Sequence, residues 1–310
     1  MLFYLLRKRF FEKLPLWMYL AMSAALSVMS VWYAAAEPAL YCTAITAAMA
    51  LEIWSIYFFV RGVWAERKEN RQLLFAGIGA ALGALAFGCR PPIALANLLV
   101  IPMLWAFLKQ RKFSLKLLGK LALAALPYVL VAAGLMLYNY ARFDNPFEFG
   151  QKYQLTVADQ SNYSIALDGP TLLRVFNDTL ENFFGMSRVR DTFPYLQPSG
   201  VFFNFPILLL GLGMWISPVL RELKRTRLLP LTVGFGLVAL IITAMDILWT
   251  PYLLERYRMD IYFLMGIACY ITVGMWHSAW GGRRQLCLKI VVGALAAHTV
   301  LCSFLYCVQT

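Results

Sequence analysis

The sequence has 310 residues, of which 61% are hydrophobic and 14% are charged, and its formal net charge is +12. Soluble globular domains carry about a quarter charged residues, so this composition excludes a soluble multi-domain protein and makes lipid the solvent for most of the chain. A positive net charge in a membrane protein is explained by lysines and arginines at the cytoplasmic surface. Because the sequence also carries no nucleic-acid-binding motif, we expect no nucleic-acid partner.

Apolar stretches long enough for transmembrane helices follow one another along the chain. The first follows a basic segment and ends in a signal-peptide-like run of alanines, but it is too long for a signal peptide, which favours a non-cleaved span. The third and fourth are short and separated only by Arg90 and Pro91, which predicts either a tight hairpin or a re-entrant pair. The predicted spans are 14–36, 39–60, 73–89, 92–108, 121–141, 200–220, 228–248, 259–280 and 286–307.

These stretches predict an all-α polytopic transmembrane protein with about nine spans. We expect five spans in residues 1–142, an extracytoplasmic loop at 143–199 and four spans in 200–310. Basic residues in short loops mark the cytoplasmic side, so the N-terminus is predicted to be cytoplasmic and the C-terminus outside, with a bacterial inner membrane as the expected location. Most of the 28 lysines and arginines lie in alternate segments, at 7–13, 61–71, 109–120, 221–227 and 283–289.

The long outward loop contains one segment with helical periodicity. Pro170 suits a first helical turn and Gly185 suits a C-terminal stop. The pattern predicts an amphipathic helix at the membrane interface, and a helix packed on neighbouring spans is the alternative. The apolar residues that carry the periodicity are Leu172, Leu173, Phe176, Leu180, Phe183 and Phe184.

Charged residues at the outer ends of the predicted spans are the candidate functional groups, because ionisable side chains near a bilayer are retained for a reason. Arginines beside carboxylates suit a lipid-linked phosphate. The carboxylates could act as a general base or ligate a divalent metal ion, which is therefore a candidate cofactor. The alternative is that Arg90, Arg256 and Arg258 only anchor helix ends, by binding headgroups or by pairing with Glu255 and Asp260. These residues are Glu37, Arg90, Arg142, Asp144, Glu148, Asp246, Glu255, Arg256, Arg258 and Asp260.

The six cysteines and two histidines offer no second kind of site. The cysteines lie in or beside apolar stretches without paired spacing, and His277 and His298 are isolated in the sequence. This pattern predicts neither a disulfide framework nor a zinc site.

Three segments carry a resemblance to a known family. They are residues 138–154, from Tyr138-Asn139-Tyr140-Ala141-Arg142 to Gln154; Cys89-Arg90-Pro91-Pro92; and Glu255-Arg256-Tyr257-Arg258-Met259-Asp260. In their order and spacing they resemble segments of the bacterial relatives of the protein mannosyltransferases, in the GT-C class of membrane glycosyltransferases.

The resemblance implies a polyprenyl-phosphate-linked sugar donor, transfer on the outer membrane face and an inverting displacement in which a carboxylate activates the acceptor. It implies that Arg256 and Arg90 contact the donor phosphate, with Tyr257 and Arg258 in the same motif. Arg142, Glu148 and Tyr153 would shape the outer cavity. The expected partners are the lipid-linked sugar and membrane lipids.

The sequence departs from the family pattern at the catalytic carboxylate. In the family an aspartate lies in a first outer loop, whereas the matching portion here begins almost at Met1. Glu37 and Asp144 are the candidate general bases. A gene fragment, a second chain that supplies N-terminal spans and an inactive remnant are all compatible with this departure.

Two other functions remain open from the sequence. A transporter or flippase of a lipid-linked or anionic solute would use the same arginines for binding, and it predicts internal symmetry that we do not find between the two halves. A polysaccharide polymerase or ligase would also combine many spans, outer arginines and a large outer loop.

Overall fold

The computed structural model describes residues 1–109, 111, 114–150, 153, 169–186, 188–189, 191, 196–197, 199–249 and 255–309. The described part is predominantly helical, which confirms the all-α polytopic prediction. Within it, eight helices are long and apolar enough to cross a membrane, or up to nine if one bent pair is counted as a span. The helices are α1 (Leu2–Phe10), α2 (Leu16–Ala36), α3 (Leu40–Val60), α4 (Glu69–Cys89), α5 (Pro91–Ala94), α6 (Val100–Leu108), α7 (Leu115–Phe143), α8 (Gly169–Phe184), α9 (Val201–Asn204), α10 (Ser217–Arg225), α11 (Leu229–Trp249), α12 (Glu255–Ala279) and α13 (Gly282–Gln309).

The third and fourth predicted spans form a hairpin around Arg90. The residue before a proline is driven to extended backbone, and Arg90 adopts φ −154° and ψ 102° before Pro91. The second arm of the hairpin consists of α5, a 3₁₀ segment at Leu95–Leu99 and α6, which together form the candidate span Pro91–Leu108. The structure therefore favours the hairpin over a re-entrant pair.

The sixth predicted span, 200–220, is not one helix. It divides into α9, a 3₁₀ helix at Pro206–Trp215 and α10, and the last two are bent by 75°. Pro206 and Pro218 interrupt helical hydrogen bonding, and a Cβ at Gly213 would lie 2.4 Å from the Trp276 ring. A 3₁₀ helix rises about 2 Å per residue, so ten residues extend about 20 Å, farther than the same residues would in an α-helix.

The basic segments meet at one end of the bundle, which we call the basic end. Arg9 Nε donates to the Trp64 carbonyl at 2.7 Å, and Trp64 Nε1 donates to the Thr226 carbonyl at 3.3 Å. Arg111 Nη1 lies 2.9 Å from Glu69 Oε2. These contacts bring together segments that are predicted to be cytoplasmic. Which side of the cell the basic end faces stays a prediction.

Helix α12 is central and α7 is peripheral. In their most apolar windows, 89% of the α12 residues are buried but none of the α7 residues are. Helix α12 packs against α2, α11 and the 3₁₀ helix, whereas α7 packs mainly along α4. A helix that is buried all round suits a continuously apolar sequence, and the exposed faces of α7 suit contact with lipid.

Helix α8 combines both arrangements that were open from the sequence. Its Phe183 is 6% exposed, and Arg174 Nη2 donates to the Ile247 carbonyl of α11 at 3.3 Å. Leu173 and Phe176 are 62% and 61% exposed. The helix therefore packs on α11 along one edge and leaves an apolar face open, as an interfacial helix does. Residues 154–168 of the predicted loop lie outside the described residues, and the strands β1 (Arg188–Val189) and β2 (Leu196–Gln197) pair antiparallel after α8.

A buried polar network ties α3, α4 and the 3₁₀ segment together. Asn97 Nδ2 donates to Glu52 Oε1 at 2.6 Å and to the Gly83 carbonyl at 3.0 Å. Tyr128 donates its hydroxyl to Asn97 Oδ1 at 2.5 Å. Glu52 is fully buried. Polar groups in a bilayer interior need partners, so this network fixes how the hairpin packs on α3.

Gly83→Ala should destabilise the protein, because the new Cβ would lie 2.1 Å from Asn97 Oδ1 and would force the network apart. We expect a loss of about 1–3 kcal/mol, measured as a lower thermal midpoint of the protein in detergent. Gly134→Ala in α7 is the matched control, because nothing lies within 4 Å of its Cβ position. Equal midpoints for the two variants would contradict this account.

Candidate functional site

The candidate site lies at the end of the bundle opposite the basic end. Helices α2 and α4 end there, and α3, α5 and α12 begin there. Helix junctions leave backbone groups and side chains accessible, which is why charged residues can gather at this level. Residues 250–254, just before α12, lie outside the described residues.

Arg90 and Asp260 form the central ion pair of this end. Arg90 Nε lies 2.8 Å from both carboxylate oxygens, and Nη2 lies 2.6 Å from Oδ2. The Asp260 side chain has no exposed surface, and that of Arg90 is 18% exposed. A carboxylate removed from water requires such a partner, so the pair fixes the α4–α5 turn against α12. Sequence reasoning foresaw both residues as outer charges but offered this pairing as the structural alternative.

Asp246 adds a second carboxylate beside the pair. It is 5% exposed near the end of α11, and it interacts electrostatically with both Asp260 and Arg90. Both carboxylates therefore lie close to the Arg90 guanidinium. Asp260 also interacts electrostatically with Arg256 at the start of α12.

Arg256 is held by aromatic rings. Its guanidinium carbon lies 4.7 Å from the centre of the Tyr41 ring and 5.3 Å from that of Tyr257. The guanidinium carbon of Arg90 lies 5.4 Å from the centre of the same Tyr257 ring, so this ring contacts two guanidinium groups. Among the described residues no carboxylate lies within ion-pair distance of Arg256. Its charge is thus oriented by cation–π contacts and left available to an anion.

Glu37 belongs to the same group through Tyr41. Its Oε2 accepts a hydrogen bond from Tyr33 at 2.5 Å and one from Tyr41 at 3.1 Å. These contacts are exposed at the turn between α2 and α3. Tyr41 therefore links the carboxylate to the Arg256 guanidinium. The structure brings Glu37, Arg90, Arg256 and Tyr257 together, and we call them, with Tyr41 and Asp260, the arginine cluster.

Arg258 belongs to a different set of contacts. It forms an ion pair with Glu255, and its Nε donates to Asn182 Oδ1 at 2.8 Å. Its side chain is 11% exposed. These partners attach α8 to the start of α12. Arg258 therefore makes the kind of contact expected of an arginine that anchors a helix end. Substrate binding by Arg258 stays an untested prediction.

Four other predicted site residues form a local group at the end of α7. Arg142 lies over the Tyr138 ring at 5.2 Å, and Tyr153 stacks on Phe143 with ring centres 5.4 Å apart. Asp144 ends the helix in the left-handed region at φ 54°, and Glu148 Oε1 accepts from the Gly150 N–H at 2.8 Å.

This α7 group approaches the hairpin through one aromatic contact. The Phe149 and Phe87 ring centres are 6.2 Å apart. Phe87 lies in the last turn of α4, directly before the Arg90 turn. The group therefore borders the arginine cluster by way of α4, and no contact described in the structure joins Asp144 to Arg90 or Arg256.

Sequence reasoning missed Glu52 and the tyrosines Tyr33 and Tyr41. The sequence does contain a signal for Glu52, because it is a single acid within the apolar run Ala50-Leu51-Glu52-Ile53. An ionisable residue inside a membrane span is a candidate functional residue. The role of the tyrosines depends on the turn at Glu37, because this turn brings Tyr33 of α2 and Tyr41 of α3 to the Glu37 carboxylate. As to a metal, no group of three or more histidine, cysteine or acidic side chains arranged to hold one occurs among the described residues.

Comparisons of this chain with models of known protein families, with curated proteins and with solved structures give no match.

Replacing Arg90 by Met should leave Asp260 buried without its counterion and should lower stability by about 3–5 kcal/mol. The double variant Arg90→Met/Asp260→Leu should recover much of that loss, because it removes both charges. Thermal unfolding of the two single variants and the double variant in detergent measures the coupling. Losses that simply add would show that the pair does not hold the turn against α12.

Proposed function

We propose that this protein is a membrane glycosyltransferase that moves a sugar from a polyprenyl-phosphate donor to an acceptor at the membrane surface formed by the arginine cluster. The observation that carries the proposal is Arg256, a guanidinium that is oriented by Tyr41 and Tyr257 and has no carboxylate within ion-pair distance in the part of the chain that the structure describes. A guanidinium in that setting suits a phosphate, whose oxygens accept two parallel N–H bonds. The resemblance of the three sequence segments supports the same class.

The chemistry required at this site is cleavage of the bond between the sugar and the donor phosphate. Arg256 would stabilise the negative charge that grows on the departing phosphate. Arg90 would assist, although Asp260 already neutralises most of its charge. Tyr257 would help to hold both guanidinium groups in place, because its ring contacts both of them.

Glu37 is the better supported general base. An inverting transfer needs a carboxylate to accept the proton of the acceptor hydroxyl. Glu37 reaches Arg256 through Tyr41, whereas Asp144 caps α7 in a left-handed conformation beside Tyr140. In this proposal Tyr33 and Tyr41 orient the Glu37 carboxylate, and its second oxygen accepts the proton.

A transporter of a lipid-linked or anionic solute is the second candidate, and the buried network around Glu52 is the observation that favours it. Ion-coupled transporters place acids and discontinuous helices at the middle of the membrane. Glu52 is fully buried, and its partner Asn97 lies in the 3₁₀ segment that interrupts the fourth candidate span.

Arg256→Ala should reduce sugar transfer from a labelled polyprenyl-phosphate sugar by about a hundredfold, because one charge-stabilising donor is lost. Arg256→Lys should retain part of the activity, since it keeps the charge but not the paired N–H groups. The measurement is label transferred to a new acceptor in membranes that contain the protein. Arg225→Ala, an exposed arginine at the basic end, is the control and should leave the rate unchanged. Full activity of Arg256→Ala would overturn the proposed role.

Glu52→Gln separates the two candidates, because it keeps the size of the side chain and removes its titratable carboxylate. A transferase should retain its activity in this variant, while an ion-coupled transporter should lose uptake of the labelled lipid-linked sugar into proteoliposomes. If Glu52→Gln loses uptake, and neither the wild type nor the variant transfers label to an acceptor, the transporter replaces the transferase proposal.

A further inference from the structure

A polar recess lies at the basic end, between the starts of α4 and α7. It is far from the arginine cluster, since both helices run the length of the bundle before they reach the Arg90 level. Its walls carry three cations and one carboxylate. They are formed by Glu69, Arg111, Ser114, Lys116, Leu117 and Lys120.

The charges of these described lining residues sum to an excess of two positive charges. Arg111 and Lys120 both pair with Glu69, and Arg111 also bonds to the Gln72 side chain. Lys116 is exposed and forms no ion pair with any described residue. Ser114 caps the first turn of α7 by accepting from the Leu117 N–H at 3.2 Å, so the positive end of the helix dipole adds to the same field.

An apolar cleft lies next to this recess along the same two helices. Gln72 follows Glu69 by one turn on α4, and Leu121 follows Lys120 on α7; both line the cleft. Deeper walls are formed by Ala76, Ala80, Ala125 and Tyr128, with α6 opposite. From Gln72 to Ala80, the α4 residues that line the cleft, an α-helix rises about 12 Å, which is somewhat less than half of the hydrocarbon core of a bilayer. The cleft therefore spans most of the depth of one leaflet.

We propose that this recess and cleft bind an anionic membrane phospholipid, with its phosphate held by Lys116 and Lys120 and one acyl chain lying between α4, α6 and α7. Charge complementarity selects the headgroup, because basic pockets between helix ends attract anionic lipids. The apolar walls select an attached chain over a free phosphate. Helix α7, which packs mainly along α4 and exposes the rest of its surface, gains a second contact through this lipid.

The site is tested by titrating phosphatidylglycerol and phosphatidylcholine into the detergent-purified protein and measuring bound lipid by native mass spectrometry. Wild type should bind phosphatidylglycerol at least tenfold more tightly than phosphatidylcholine, on the order expected for a few basic side chains. Lys116→Glu should weaken phosphatidylglycerol binding about tenfold. Arg284→Glu makes the same charge change at an exposed position of the same end, outside the recess, and should leave binding unchanged.

The acyl-chain half of the proposal has its own matched pair of variants. Ala125→Phe fills the cleft without changing charge and should weaken phosphatidylglycerol binding several-fold. Ala122→Phe, on the same helix but outside the cleft lining, should have no effect. An equal loss of phosphatidylglycerol binding in Lys116→Glu and Arg284→Glu would show that general surface charge causes the effect, and it would overturn the proposed site. Competition by glycerol phosphate as effective as that by the lipid would show a free-phosphate site and overturn the role of the cleft.

Discussion

The Arg90–Asp260 ion pair is the interaction on which the rest of the candidate site depends. Asp260 lies on the central helix α12 without exposed surface, and a carboxylate there is tolerated only with a close counterion. Pro91 sets Arg90 in extended backbone at the hairpin turn, which directs the chain towards α12. With Arg90 paired to Asp260, Arg256 has no carboxylate of the described residues within ion-pair distance. The different surroundings of these two neighbouring arginines thus follow from one buried carboxylate.

The sequence was sufficient to locate most helices, because length and apolarity are local properties that the bilayer itself imposes. It also singled out Arg90 and Arg256, since charges near spans are scarce. The sequence alone could not decide, for each arginine, whether it binds a ligand or pairs with another residue of the protein. Arg90 meets Asp260 170 positions away, and Arg258 meets Asn182 76 positions away. Only the packing of α12 against the hairpin and α8 decides these partners.

Two features of the structure were not predicted from the sequence, for different physical reasons. Apolarity predicts the span at 200–220 but does not report helix type, and the prolines at 206 and 218 with the close Gly213–Trp276 packing produce a 3₁₀ helix and a 75° bend there. Glu52 was missed because it lies within a predicted span and not at its end. Its burial is possible only because Asn97 bonds to it, and Asn97 fits only because Gly83 has no side chain.

The two ends of the bundle carry different chemistry, and α7 reaches both. At its start α7 forms the basic recess with α4, and at its end it presents Arg142, Glu148 and Tyr153 near the Arg90 turn. Leu135 lies close to Gly88, and Phe149 contacts Phe87, so α4 is the element through which α7 is positioned against the arginine cluster. Since the remaining surface of α7 is exposed on the bundle and suits contact with lipid, the shape of any cavity bordered by its end depends jointly on α4 packing and on the surrounding membrane.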